Sequence, residues 1–137
     1  FIKKECPFEI DRDTIIVGHS AGAVLTIIIS QFYEINTTFS VGAFKDLSYL
    51  HEKLNWHAND RFFDIDFDFE KIKHNSKHSI FVHSDNDPYC PLEQAEYLCN
   101  KLDGKLVIYE GQGHFNTDSN VKYKKFPELL ELIGTYS

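Results

Sequence analysis

Thr14-Ile15-Ile16-Val17-Gly18-His19-Ser20-Ala21-Gly22 is the stretch on which the reading of this chain turns. Three consecutive β-branched residues, Ile15, Ile16 and Val17, predict a short buried strand over residues 13–18. The strand breaks at a G-x-S-x-G pentapeptide and gives way to an apolar helical run. A serine on a tight strand-to-helix turn takes a strained backbone conformation with its hydroxyl pushed outward, and small neighbours such as Gly18 and Gly22 make that turn possible. Ser20 is therefore the candidate nucleophile. Because it opens a helix, the unpaired N–H of Ala21 and the positive end of the helix dipole point to where an oxyanion would form.

Outward from this turn, strands and helices alternate. Residues 21–33 are apolar nearly all round and predict a helix buried on most sides. Phe39-Ser40-Val41-Gly42-Ala43-Phe44 suits a second buried strand, after which Leu47, Leu50 and Leu54 recur at helical spacing as far as Asn55-Trp56. Asp64-Ile65-Asp66-Phe67-Asp68-Phe69-Glu70 alternates acidic and apolar residues, as an edge strand or a loop with one side in water would. It is not a calcium loop, because Phe69 stands where glycine is needed and Asn75 where a bidentate glutamate is needed.

Ser79-Ile80-Phe81-Val82-His83 reads as a third strand, and Pro88 and Pro91 keep the following residues 84–91 irregular. An amphipathic helix over residues 92–102 is closed by Asp103-Gly104, with Gly104 the expected left-handed cap. A fourth strand over residues 105–109 runs into the glycine-loosened Glu110-Gly111-Gln112-Gly113-His114, and a last helix covers residues 126–135. Before the first strand, Phe1, Ile2, Phe8 and Ile10 among charges suggest the end of a helix. The alternation implies an α/β fold, a parallel sheet with helices on both faces, built as a single domain over residues 1–137.

Functional groups in such sheets gather beyond the carboxyl ends of the strands, and Ser20, the Asp85/Asp87 pair and His114 all follow predicted strands. Serine needs an imidazole to take its proton, and the imidazole needs a carboxylate to fix its tautomer and stabilise its charged form. Of the two aspartates, Asp87 is assigned as the acid because the Asp87-Pro88-Tyr89-Cys90-Pro91 turn would hold it rigidly, leaving Asp85 to brace the loop. His19 is expected to point away from the site and pack, His83 to be a core or supporting histidine, and Cys90 to pack in its loop. Chemistry of this kind asks for no cofactor and no metal.

Gly18-His19-Ser20-Ala21-Gly22-Ala23, Phe69-Glu70-Lys71-Ile72, Ser84-Asp85-Asn86-Asp87-Pro88-Tyr89-Cys90-Pro91 and Gly113-His114-Phe115-Asn116 together resemble the small serine hydrolases typified by the retinoblastoma-binding serine hydrolase and its bacterial relatives. The resemblance covers nearly the whole chain. It implies an α/β-hydrolase without a large lid, and a Ser20–His114–Asp87 triad cleaving ester, thioester or amide bonds of small substrates through an acyl-enzyme. In that family a strand and a His-Gly loop precede the nucleophile turn. Here the chain begins at Phe1 and reaches Ser20 almost at once, as an N-terminally incomplete domain would. On that expectation the first strand would have a bare edge, prone to self-association or complementation by another polypeptide, and activity would be impaired by the missing oxyanion donor.

Composition narrows the alternatives. A net charge of −7, with 14 Lys and Arg spread along the chain, argues against nucleic acid and acidic membrane surfaces. The longest apolar stretch, residues 21–29, is too short to span a bilayer. Cys6, Cys90 and Cys99 form no paired framework, which fits a cytoplasmic location. The Asn36-Thr37-Thr38 sequon carries little weight. The rival to an enzyme is a non-catalytic binding scaffold that keeps the hydrolase core.

Overall fold

The computed structural model describes residues 7–46 and 66–136. The helix expected around Leu47, Leu50 and Leu54 lies outside the described residues. The order is β1 (Ile15–His19), α1 (Ala21–Ser30), β2 (Ile35–Val41), α2 (Phe69–Asn75), β3 (Ser76–Ser84), α3 (Leu92–Lys101), β4 (Lys105–Tyr109), a 3-10 turn (Val121–Lys124) and α4 (Pro127–Gly134). The four strands pair in the order β1-β2-β3-β4, all parallel, with Val17 opposite Phe39, Phe39 opposite Ile80, and Ile80 opposite Lys105. Among the described residues β1 pairs only with β2, and Val17 is exposed.

Side-chain alternation distributes the sheet between two cores. On one face, Phe81 and Leu106 pack against Ala23 and Ile27 of α1, Ile72 of α2, and Leu98 and Cys99 of α3. On the other, Phe39, Val41, Ile80 and Val82 pack against Phe126, Leu129, Leu132 and Ile133 in and beside α4. Helices therefore cover both faces, as the alternation predicted. No helix among the described residues is long and apolar enough to cross a membrane.

Several boundaries differ from the sequence reading, each for a local reason. β2 starts at Ile35, so Thr37 and Thr38 of the sequon lie buried in the strand rather than in a surface loop. The strand tolerates such polar residues because hydroxyls find partners: Ser40 Oγ lies 2.7 Å from Thr26 Oγ1, and Thr26 in turn donates to the Ala23 carbonyl at 2.8 Å. The acidic stretch ends in a helix, since the Asp68 carboxylate accepts from the Lys71 N–H at 3.0 Å and caps α2. Phe69 and Glu70 are thus helical, not extended. No helix forms over residues 7–11, and Phe8 is largely exposed.

The end of α3 also corrects an expectation. Asp103, not Gly104, takes the left-handed conformation, with φ 48°. Glycine is needed at 104 for space: a Cβ there would stand 2.6 Å from the Ser79 carbonyl oxygen and 3.1 Å from the Phe81 ring. Gly104→Ala should therefore cost ~1–3 kcal/mol, since β3 and β4 would have to part. Gly134, helical and facing open space, sets the opposite sign, and Gly134→Ala should add ~0.5–1 kcal/mol. Urea unfolding of the two variants checks this; equal midpoints would show that the close approach at Gly104 does not exist.

Candidate active site

Each parallel strand delivers one piece of the site from its carboxyl end. β1 ends in Ser20, which holds φ 56° and ψ −121°, a conformation rarely taken by a residue with a side chain. Two contacts enforce it. The Ser20 N–H donates to the Val41 carbonyl of β2 at 2.8 Å, and the Ser20 carbonyl accepts from Ala23 at 2.9 Å as α1 begins. A Cβ at Gly18 would sit 2.1 Å from the Gly22 carbonyl oxygen, so Gly18 allows the sharp return of the chain. Gly22 itself has open space where its Cβ would go, and its carbonyl is what Gly18 must clear. The Ala21 N–H has no acceptor among the described residues.

β3 leads to Asp87 and β4 to His114. The two meet at 2.7 Å between Asp87 Oδ2 and His114 Nδ1, both side chains almost wholly buried. A carboxylate only accepts, so Nδ1 carries the proton and Nε2 is left with a lone pair. Asp87 Oδ1 accepts from the N–H groups of Tyr89 and Cys90 at 2.9 and 3.0 Å. Burial pushes this carboxyl up, but the hydrogen bonds from His114, Cys90 and Tyr89 together outweigh it and hold the group below its ordinary value. β2 contributes Gly42, whose φ is +60°. A Cβ there would stand 3.2 Å from His114 Cε1 and 3.6 Å from Asp87 Oδ2, so glycine makes room for the pair.

Neighbouring residues tie the acid loop to the histidine loop. Asp85 Oδ1 accepts from Gly111 at 2.7 Å, Asn86 Oδ1 from Gly113 at 2.7 Å, and Ser84 Oγ from Gln112 at 2.8 Å. Asp85 therefore braces the loop, as its position suggested. Phe115, left-handed at φ 52°, buries its ring against Phe126 with centroids 5.3 Å apart and anchors the far side of His114. Sequence reading missed Gly42, Asn86, Ser84 and Phe115. It also misplaced His19, which turns back toward the site: its Nε2 donates to the His114 carbonyl at 2.7 Å, and the two rings lie 4.7 Å apart.

Among the described residues Ser20 makes no hydrogen bond to His114. Asp87, Cys90 and His114 bring one donor atom each within 4.8 Å of one another. As a metal site this set fits poorly. Burial, and then the Asp87 charge, push the Cys90 thiol up and keep it protonated, whereas a metal takes the thiolate. His114 Nδ1 and both Asp87 oxygens are already engaged.

A strand-turn serine and a buried acid–imidazole pair beyond the same sheet edge define a fold and a site that can be compared with known proteins. The serine hydrolase family model matches residues 6–135. This chain belongs to that family. It is 30% identical over 131 residues to serine hydrolase RBBP9 of Rattus norvegicus, covering 94% of this chain and 64% of the rat protein. The chain thus spans under two thirds of that relative's length. The ydeN gene product of B. subtilis has a similar fold, with a TM-score of 0.77 at 21% identity over 93% of this chain and 67% of that one. A meta-cleavage product hydrolase from Pseudomonas fluorescens IP01 superposes with a TM-score of 0.57 at 14% identity, over 86% of this chain and 66% of that one. The fold is that of the α/β-hydrolases.

The buried imidazole of His83 links the site to stability. Burial holds its pKa below the ordinary value of about 6.5, and nothing of the residue reaches solvent. As pH falls below that value the unfolded chain takes up a proton that the folded ring refuses. Stability is then complete above about 6.5 and declines toward the folded value. The urea midpoint should drop from about pH 7 to about pH 5.5, and His83→Gln should flatten the drop. A midpoint that rises over this interval would contradict the assignment.

Proposed function

We propose that this chain hydrolyses ester, thioester or amide bonds of small substrates through a Ser20–His114–Asp87 triad. The observation that carries the reading is the buried 2.7 Å contact between Asp87 and His114 at the sheet end where Ser20 holds its strained turn. His114 Nε2, its lone pair fixed by the bond at Nδ1, removes the Ser20 proton as Oγ attacks the substrate carbonyl. The tetrahedral oxyanion accepts from the Ala21 N–H at the start of α1. Collapse breaks the bond to the leaving group, which takes the proton from His114. Water, deprotonated by the same imidazole, then attacks the acyl-Ser20 ester and releases the acid.

Asp87 stays ionised throughout, and its role is to hold the imidazole and stabilise its cation. The reading calls for no metal and no cofactor. A fluorophosphonate probe should label the protein at Ser20, and Ser20→Ala and His114→Ala should each abolish labelling and most ester hydrolysis. Asp87→Asn should reduce turnover on the order of 10⁴-fold, the loss seen for the corresponding change in trypsin, while Asp85→Asn has a milder effect. Activity should rise with pH through the imidazole range and be indifferent to EDTA. An unlabelled wild-type chain beside a labelled control hydrolase would overturn the reading in favour of a binding scaffold.

A further inference from the structure

His83 lies on β3 directly behind the acid and takes no part in the steps above. Its ring is wholly buried. Nε2 stands 2.8 Å from the Cys90 carbonyl oxygen and 4.0 Å from Asp87 Oδ2, while Nδ1 is buried with no partner among the described residues. A carbonyl only accepts, so Nε2 carries the proton and Nδ1 holds the lone pair. The opposite tautomer would set two lone pairs face to face and bury an unsatisfied N–H. An orphaned buried nitrogen is unfavourable, and an aliphatic side chain would fill the space without it. The feature that sets histidine apart here is its Nε2–H.

From this geometry we infer that His83 is a positioning residue for Asp87, clamping the acid's turn to β3 through the Cys90 carbonyl. The turn is held at both ends of one residue. The Cys90 N–H donates to Asp87 Oδ1, and the Cys90 carbonyl, in the next peptide group, accepts from His83, so the backbone is anchored on both sides of Cys90. The Nε2–H edge of the neutral ring also places the positive end of its bond dipole 4.0 Å from Oδ2, favouring the ionised acid. The charged and titratable groups around His83 are Asp87, His114 and, farther away, Glu93; those facing His114 are Asp87, His19 and the ring of Tyr89. The inference rests on reading Asp87 and His114 as acid and base.

Nuclear magnetic resonance of the imidazole nitrogens tests it without reference to turnover. In the wild-type chain at about pH 7.5, His83 should be the neutral Nε2–H tautomer, with its proton coupled to the Cys90 carbonyl. An Nδ1–H tautomer would overturn the inference by itself. His83→Leu removes the donor and keeps the bulk, and the downfield Nδ1 proton of His114 should move upfield as its carboxylate partner loosens. His83→Gln places an amide N–H near the lost Nε2–H, and should return that resonance to its wild-type position and bring Ser20 probe labelling within about twofold of wild type.

A purely structural role would lower the unfolding midpoint of both variants and leave the His114 Nδ1 proton resonance where it was, and that result would overturn the inference. If His83→Leu does not fold, the wild-type tautomer and the His83→Gln spectrum decide, and a His114 Nδ1 proton displaced upfield in His83→Gln would count against it. A chain that shows these imidazole signals but no Ser20 labelling in the wild type would refute the hydrolase reading and leave the His83 clamp standing.

Discussion

A carboxylate buried against an imidazole at 2.7 Å is the contact around which the strand ends are arranged. Taking such a pair out of water is costly unless every lone pair is engaged and the geometry is held. Here the cost is met locally. One Asp87 oxygen takes two backbone N–H groups of its own turn and the other takes His114. The absent side chain of Gly42 leaves the volume in which the imidazole sits. Three hydrogen bonds accepted by Ser84, Asp85 and Asn86 from the backbone N–H groups of residues 111–113 then fix the distance between the two loops. The parallel sheet makes this possible because all four carboxyl ends point the same way.

The same constraint explains why the strained residues cluster where they do. Ser20, Gly42, Gly111, Gly113 and Phe115 all hold positive φ, and all lie beyond the carboxyl ends of strands. Among the described residues only Asp103 departs from that pattern, closing α3 at the opposite end of β4. Strain at Ser20 persists because the bond to Val41 and the start of α1 over-determine it. Strain at Phe115 persists because its ring is locked among Tyr109, Tyr123 and Phe126.

Much of this was legible in the sequence because the signals are local. The β-branched run before Gly18, the proline-bounded turn after Asp87 and the glycines before His114 each act within a few residues, and they located three of the four strand ends. The fourth, Gly42, was read only as part of a strand, since nothing nearby shows that an imidazole from residue 114 must pass it. The braces from Ser84, Asp85 and Asn86 reach 26 to 28 residues along the chain, and only the Asp85 brace was inferred from its position. β2 and α2 were misjudged for a different reason. Buried threonines in one and a seven-residue helix with a single buried residue, Ile72, in the other give no hydrophobic period to read. His19 was misplaced because a strand's alternation sets its side, not the return of a distant loop against it.

In the proposed reaction the Asp87–His114 pair drives the Ser20 hydroxyl onto a carbonyl. Its most direct test is the acyl-enzyme itself. The chain is mixed with an activated acetyl ester, quenched in acid and mapped by peptide mass spectrometry. One acetyl group is expected, on the peptide holding Ser20, formed in the wild type and lost in His114→Ala. Acetylation confined to lysines or cysteines, or equal at Ser20 with and without His114, would contradict it.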